Sequence, residues 1–132
     1  MVHWVNRRVK FIEAAAGQTE LTQGGVRVSL ERQGQPYVGR SGNGTGLQDE
    51  LMHSAEATLA ALRQLIGQDI TLALLTIGPV VALGQNFVLA VVEVAFKREI
   101  FTVLGVCPRS DSAARDGALA VLQATNRILG LS

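Results

Sequence analysis

The chain contains few residues whose chemistry could support catalysis. It has one cysteine, Cys107, and two histidines, His3 and His53. A cysteine nucleophile needs a base within hydrogen-bond reach and a third group that orients this base. Nothing in the spacing brings Cys107 and His53 together or supplies the third group. We therefore expect no catalytic residues, and we predict that Cys107 is a small buried hydrophobe and that His53 is a surface or interface imidazole.

No group of cysteine, histidine and acidic residues has the spacing of a metal site, and we expect neither a metal nor another cofactor. The carboxylates of Asp49, Glu50, Asp111 and Asp116 fall in the first turns of two predicted helices, where the helix dipole stabilises negative charge. They do not form a paired acid and base. The sequence therefore predicts a protein without enzymatic activity.

Two glycine-containing loops, 39–46 and 105–111, each lead into a predicted helix. Free backbone N–H groups at a helix N-terminus can hold a carboxylate or a phosphate, and Arg40 or Arg109 can add a charge-assisted hydrogen bond. Residues 42–46 read Gly-x-Gly-x-Gly but lack the Lys-Ser/Thr of nucleotide hydrolases. The alternative is a plain connection with solvated charges. The candidate ligand-binding residues are Arg40, Ser41, Gly42, Asn43, Gly44 and Thr45 on the first loop, and Arg109, Ser110 and Asp111 on the second.

The composition indicates a single domain, 1–132, without strong attraction to a polyanion. The 132 residues are 48% hydrophobic and 17% charged, and 12 Lys+Arg against 11 Asp+Glu leave a net charge of +1. Arg7, Arg8 and Lys10 lie near Trp4, which is the one feature similar to a nucleic-acid contact. An edge strand that uses charge to prevent aggregation is the simpler interpretation, so we expect no nucleic-acid partner.

A stretch without charged residues extends from Ile70 to Val92 and is long enough to cross a membrane. Gly78-Pro79 and Gly84-Gln85-Asn86 interrupt this stretch, so a buried β-hairpin is the better prediction. The N-terminal residues do not have the order of charged and apolar segments that a signal peptide has. With one cysteine and therefore no intrachain disulfide, the sequence indicates a cytoplasmic protein without a membrane segment.

Alternation of polar and apolar residues predicts three strands in each half of the chain. In the first half they cover 9–15 and 26–31 and begin again at Tyr37. In the second half they cover 70–77, 87–96 and 99–105. The first two strands of the second half are more fully apolar, which predicts that they are central or covered on both faces.

Apolar residues at spacings of three and four predict two helices. The first covers 47–66, with Thr45 and Gln48 as a capping box and Gly67 as a left-handed cap. The second covers about 112–129, with Ser110 or Asp111 as its cap.

The two halves, about 7–67 and 70–130, share the order of three strands and one helix. A shift of 63 residues superposes Gly67 on Gly130, Leu59 on Leu122 and Ala55 on Ala118. We therefore predict an α+β fold of duplicated βββα units (βββαβββα), with mainly antiparallel sheet and two helices. Because one helix is too narrow to cover a sheet, the two units must pack together, and the apolar composition further predicts a homodimer.

The final helix and the loop before it carry the most specific pattern in the chain. The residues are Ser110-Asp111, Ala118, Leu122, Ala124 and Asn126-Arg127-Ile128-Leu129. This pattern resembles the regulatory, leucine-sensing domain of 2-isopropylmalate synthase, which is also built from two βββα units. The chain has no room for that family's catalytic barrel, and Gly105-Val106-Cys107-Pro108 stands where the family has a glycine pair. The resemblance implies a module that acts through dimer contacts, with a small effector between loops 39–46 and 105–111.

Hypotheses from different classes remain. The leading one is a non-catalytic, homodimeric regulatory domain that binds a small-molecule effector through the two loops. The alternative is a structural module that binds a protein partner through a sheet face or through its alanine-rich helices. A third is weak nucleic-acid binding through Trp4, Arg7, Arg8 and Lys10.

Overall fold

The computed structural model describes residues 9–16, 25–42 and 46–129, with side chains up to residue 126. The elements are β1 (Lys10–Ala16), β2 (Val26–Arg32), β3 (Gln35–Ser41), α1 (Leu47–Leu65), β4 (Ile70–Ala82), β5 (Gln85–Phe96), β6 (Glu99–Pro108) and α2 (Ala113–Leu129). The strands form two antiparallel sheets, with the strand orders β1-β2-β3 and β4-β5-β6. The predicted α+β fold of two βββα units is confirmed.

Three two-residue turns fix the register of the hairpins. They are Gln33-Gly34, Leu83-Gly84 and Lys97-Arg98, and all six residues have positive φ, as turns that match the twist of paired strands require. The predicted end of the fourth strand at Ile77 is wrong, because β4 continues to Ala82. Pro79 pairs with Val88 and is tolerated because β4 is an edge strand, where a missing N–H disrupts nothing.

The ends of α1 differ from the predicted caps. The N-cap residue is Gly46, and no side chain bonds to this end of the helix. Gln48 does not complete a capping box, because its side-chain amide donates to the carbonyl oxygen of Ile77 at 2.6 Å. Thr45 lies outside the described residues. At the other end the chain leaves the helix in extended conformation at Ile66, and Gly67 does not adopt a left-handed conformation.

Each helix lies directly on the last strand of its own sheet. A Cβ atom added to Gly39 would lie 1.8 Å from the carbonyl oxygen of Ala57 in α1, and one added to Gly105 would lie 1.9 Å from the carbonyl oxygen of Ala120 in α2. Ala57 and Ala120 are separated by the shift of 63 residues. The small residues of both helices therefore serve close contact with a strand of the same chain.

The two units join through their helices and through an exchange of contacts with the first strands. The helices meet at Ser54 and Gly117, which are equivalent positions. Asn126 in α2 bonds to both backbone groups of Val9, just before β1, at 3.0 and 3.3 Å. In the same way, Arg63 in α1 donates to the carbonyl oxygen of Leu72 in β4 at 2.8 Å. Since both members of this pair shift by 63 residues, the duplication includes the contacts between the units.

The core fills the space between the helices and the inner faces of both sheets. Its largest fully buried side chains include Leu30, Leu51, Leu59, Leu62 and Val92. The outer face of the second sheet is different, because Ile100 and Leu104 are 70% and 58% exposed. The prediction that the first two strands of this half are both central or covered on both faces is therefore wrong: β5 is central, but β4 is an edge, and none of the described residues covers the outer face.

Candidate functional site

Most of the first predicted ligand loop is strand. Gly39, Arg40 and Ser41 belong to β3, Gly42 is exposed, and Asn43, Gly44 and Thr45 lie outside the described residues. Arg40 points away from the helices, because its cross-strand neighbour is Arg27 on the outer face of the first sheet. Its exposed side chain therefore faces away from the start of α1.

Ser41 faces the interior and meets a residue that the sequence analysis placed at a surface or interface. Its hydroxyl lies 3.0 Å from Nδ1 of the half-buried His53 in α1. A serine and a histidine at this distance are the beginning of a nucleophilic site, which also needs a group that orients the imidazole. The second unit carries Cys107 and Asp116 at the corresponding places, and these two cannot perform the same chemistry. We therefore interpret the Ser41–His53 contact as a link between strand and helix.

The second predicted loop is closed by its own side chains. The backbone N–H and the hydroxyl of Ser110 both donate to the carboxylate of Asp116, at 2.8 and 2.7 Å. Asp116 is 1% exposed, whereas Arg109 and Asp111 are exposed. The cap of α2 is Ser112, whose hydroxyl accepts the N–H of Arg115 at 3.1 Å, rather than Ser110 or Asp111. A carboxylate of the protein already occupies the position expected for an anionic ligand.

The helix contacts place the two loops apart. Ser54 donates to the carbonyl oxygen of Ala114, while the carbonyl oxygen of Leu51 lies next to Gly117. Moving back along α1 therefore corresponds to moving forward along α2, and the two helices start on opposite sides of their crossing. Arg40 and Arg109 precede these two starts, so this geometry does not bring them to one anion.

The environment of Cys107 makes its thiol unreactive. The residue is 7% exposed, and its S–H donates to the backbone carbonyl oxygen of Asp116 at 3.2 Å. Burial, with a smaller effect of the Asp116 charge, raises the pKa of the thiol from 9.0 to about 11. The small fraction of thiolate at neutral pH agrees with the predicted role as a buried hydrophobe.

A cleft between the two units offers the best enclosed surface. It has a volume of about 320 Å³ and lies between the start of β1 and the edge of β6, with α2 as its floor. Its apolar lining includes Phe11, Leu119 and Leu122, together with Val9, Val106 and Cys107. Ligand pockets begin at about this volume and are mainly apolar with a few fixed polar groups.

Two amide side chains supply the polar groups of this cleft. Gln123 accepts the N–H of Val106 at 2.6 Å through Oε1, which leaves Nε2 as a donor. Asn126 uses both ends of its amide on the backbone of Val9. These contacts satisfy backbone groups of β6 and of the residue before β1, and they hold the two walls of the cleft on one helix.

Sequence reasoning missed this cleft. Its walls come from opposite ends of the chain, and no local pattern announces that Val9 and Asn126 are neighbours. One signal was present: Gln123 and Asn126 are polar and lie on a helix that is otherwise mainly apolar. Their spacing of three places both amides on one face of α2.

The remaining candidates do not form a site among the described residues. Lys10 lies opposite Glu31 across two strands, and Trp4, Arg7 and Arg8 fall outside the described part of the chain. Within the ranges 9–16, 25–42 and 46–129, no three histidine, cysteine, aspartate or glutamate residues are grouped so that they could hold a metal ion. The described helices include none with the length and apolar character needed to span a membrane. Comparison of the chain with protein-family models and with curated proteins finds no match.

Proposed function

We propose that this protein is a non-catalytic, cytoplasmic regulatory domain that binds a small molecule in the cleft between its two βββα units and acts as a homodimer. The observation that carries this proposal is the position of the cleft. It joins β1 of the first unit to β6 and α2 of the second, so a ligand there contacts both units. A ligand that prefers one relative position of the units shifts the protein toward that state.

The lining defines the class of ligand. No charged side chain lines the cleft, and its surface is mainly aliphatic with one phenyl ring, Phe11. Nε2 of Gln123 is available to donate to a carbonyl or carboxylate oxygen. A small aliphatic molecule with one polar end fits this chemistry better than a phosphate or a nucleotide. The resemblance of the final helix to the leucine-sensing domain supports the same class.

A thermal-shift screen of the purified chain tests this proposal. The compounds are leucine, the other branched-chain amino acids, the corresponding 2-keto acids, nucleotides and inorganic phosphate. A ligand at 100 times its dissociation constant stabilises the folded state by about 2.7 kcal/mol, which is several degrees for a chain of this size. We expect a shift with the aliphatic amino or keto acids and none with phosphate.

Variants locate the site. Leu119→Trp fills the cleft and abolishes the shift, while Glu56→Trp, the same addition at the equivalent position of α1, preserves it. Loss of the shift in Arg109→Ala with full binding in Leu119→Trp would return the ligand to the predicted loops and refute the cleft.

A further inference from the structure

The outer face of the second sheet is an exposed apolar surface. We define it by Leu75, Leu89, Val91, Ile100, Leu104 and Val106, which lie opposite the side of β5 whose residues Val88, Ala90, Val92 and Val94 are buried. A bulge between Leu74 and Thr76 adds Leu75 to this face, where it is 52% exposed. Contiguous apolar surface of this kind marks an interaction site on a folded protein.

The equivalent face of the first sheet shows what the fold itself requires. The outward residues of β1, β2 and β3 are mainly polar and include Lys10, Glu13, Arg27, Glu31 and Arg40. A sheet of this fold can therefore present a charged face to water. The apolar character of the second sheet is thus a property of one half only, and packing within the chain does not explain it.

The size of the face fits one partner of matching shape. Three strands at about 4.8 Å spacing and roughly ten residues at about 3.3 Å each give a face of about 14 by 33 Å. Side chains standing on this area expose more surface than its projection of roughly 450 Å², which brings the face near the roughly 800 Å² per partner of a stable interface. Sheets pack face to face by interdigitating apolar side chains in this way.

We infer that this face packs against the same face of a second copy of the chain. The first sheet is too charged to be the complement, so among the described surfaces of this chain the matching apolar sheet is the same one on another copy, related by a twofold axis. This inference rests on the homodimer of the proposed function but does not depend on its ligand. Each monomer places Leu104 near the centre of the interface.

Glu93 distinguishes this occupant from another protein. It lies on the same face, opposite Ala73 and Thr102, and makes no ion pair with the described residues. Packing against an identical apolar face removes its carboxylate from water without supplying a cation, which disfavours the dimer. Glu93→Gln should therefore strengthen self-association, whereas a foreign partner that supplies a cation would bind this variant less tightly.

Analytical ultracentrifugation of the full chain over a wide range of concentrations is the test. We expect a species of twice the 14.0 kDa chain mass. Leu104→Glu should raise the dimer dissociation constant by about 100-fold, because symmetry buries two new carboxylates. Val38→Glu, at the equivalent outward position of the first sheet, should leave it unchanged. Ile100→Glu is a second disrupting variant at a more exposed position, and circular dichroism verifies that each variant is folded.

A monomeric wild-type chain at every concentration overturns both the homodimer and this interface. A dimer that persists in folded Leu104→Glu and Ile100→Glu overturns the interface alone. Weaker association of Glu93→Gln also overturns it, because the carboxylate would then have a cationic partner that the opposing face does not contain.

Discussion

Gly105 in β6 and Ala120 in α2 lie in direct backbone contact, so close that a Cβ atom on the glycine would be 1.9 Å from the alanine carbonyl oxygen. The same relationship joins Gly39 and Ala57 in the first unit at 1.8 Å. The recurrence of this contact sets the spacing between sheet and helix in both units. It also gives the alanines of α1 and α2 a role within the chain.

Replacement of Gly105 by alanine tests this spacing. The added methyl group meets backbone rather than a flexible side chain, so the strand and the helix must separate, and we expect a loss of at least about 3 kcal/mol in the free energy of unfolding. Urea denaturation measures the effect. Gly78→Ala in β4 is the control, since its Cβ would meet only the side chain of Gln48 at 3.4 Å. Equal stability of the two variants would show that the contact is not a constraint.

The thiol of Cys107 predicts a loss of stability at alkaline pH. Its pKa is about 11 when folded and 9.0 in the reference state, so the folded chain retains the proton over a range in which the unfolded chain has lost it. Stability is therefore complete below pH 9 and falls as the pH rises toward 11, by roughly 2 kcal/mol. Urea denaturation at a series of pH values measures this slope.

Other groups also titrate in this range, so Cys107→Ala provides the comparison. The variant should lose the part of the alkaline slope that belongs to the thiol, although its stability at neutral pH is lower. Parallel slopes in the wild type and the variant would contradict the raised pKa. A native thiol that reacts with iodoacetamide as fast as the unfolded chain would contradict its burial.

The fold could be predicted because its signals are local and repeated. Alternation at Val26, Val28 and Leu30 places one face of β2 in the core, and Leu59 and Leu122 mark the same position of two amphipathic helices. These patterns follow from the periods of strands and helices, which short segments already display. The superposition of the two halves then predicted the order βββαβββα without knowledge of any contact.

The candidate site could not be predicted in the same way. Thr45 and Gln48 satisfy the capping-box pattern, yet Gln48 forms a better bond with Ile77, which is distant in sequence. Asn126 recognises Val9 at the far end of the chain, so the cleft exists only after both units have packed. Burial of Asp116 likewise depends on the loop that folds back over it. Local patterns do not specify which of several polar partners a folded chain supplies.

Arg40 predicts an increase in stability on charge reversal. It lies directly across from Arg27 in an antiparallel pair, and like charges at such positions are destabilising. The ion pair of Arg27 with Glu13, at 3.4 Å, offsets part of this repulsion. Arg40→Glu should raise the free energy of unfolding by about 0.5 kcal/mol at low salt, and less at high salt. Thermal melts at two ionic strengths measure it. Arg109→Glu, on an exposed loop without a cross-strand partner, should show no such gain.

Asp116 and Asp111 lie near the same helix start, but the structure assigns them different roles. The buried carboxylate of Asp116 accepts two hydrogen bonds from Ser110, one from the backbone and one from the hydroxyl. Asp116→Ala leaves a part-buried N–H without its acceptor, and we expect a loss of about 2 kcal/mol. Asp111 is exposed, so Asp111→Ala should change stability by less than about 0.5 kcal/mol. Urea denaturation of both variants gives the comparison. An equal loss in the two would mean that the helix dipole acts on both carboxylates alike, whereas the expected difference shows that Asp116 stabilises the loop between β6 and α2.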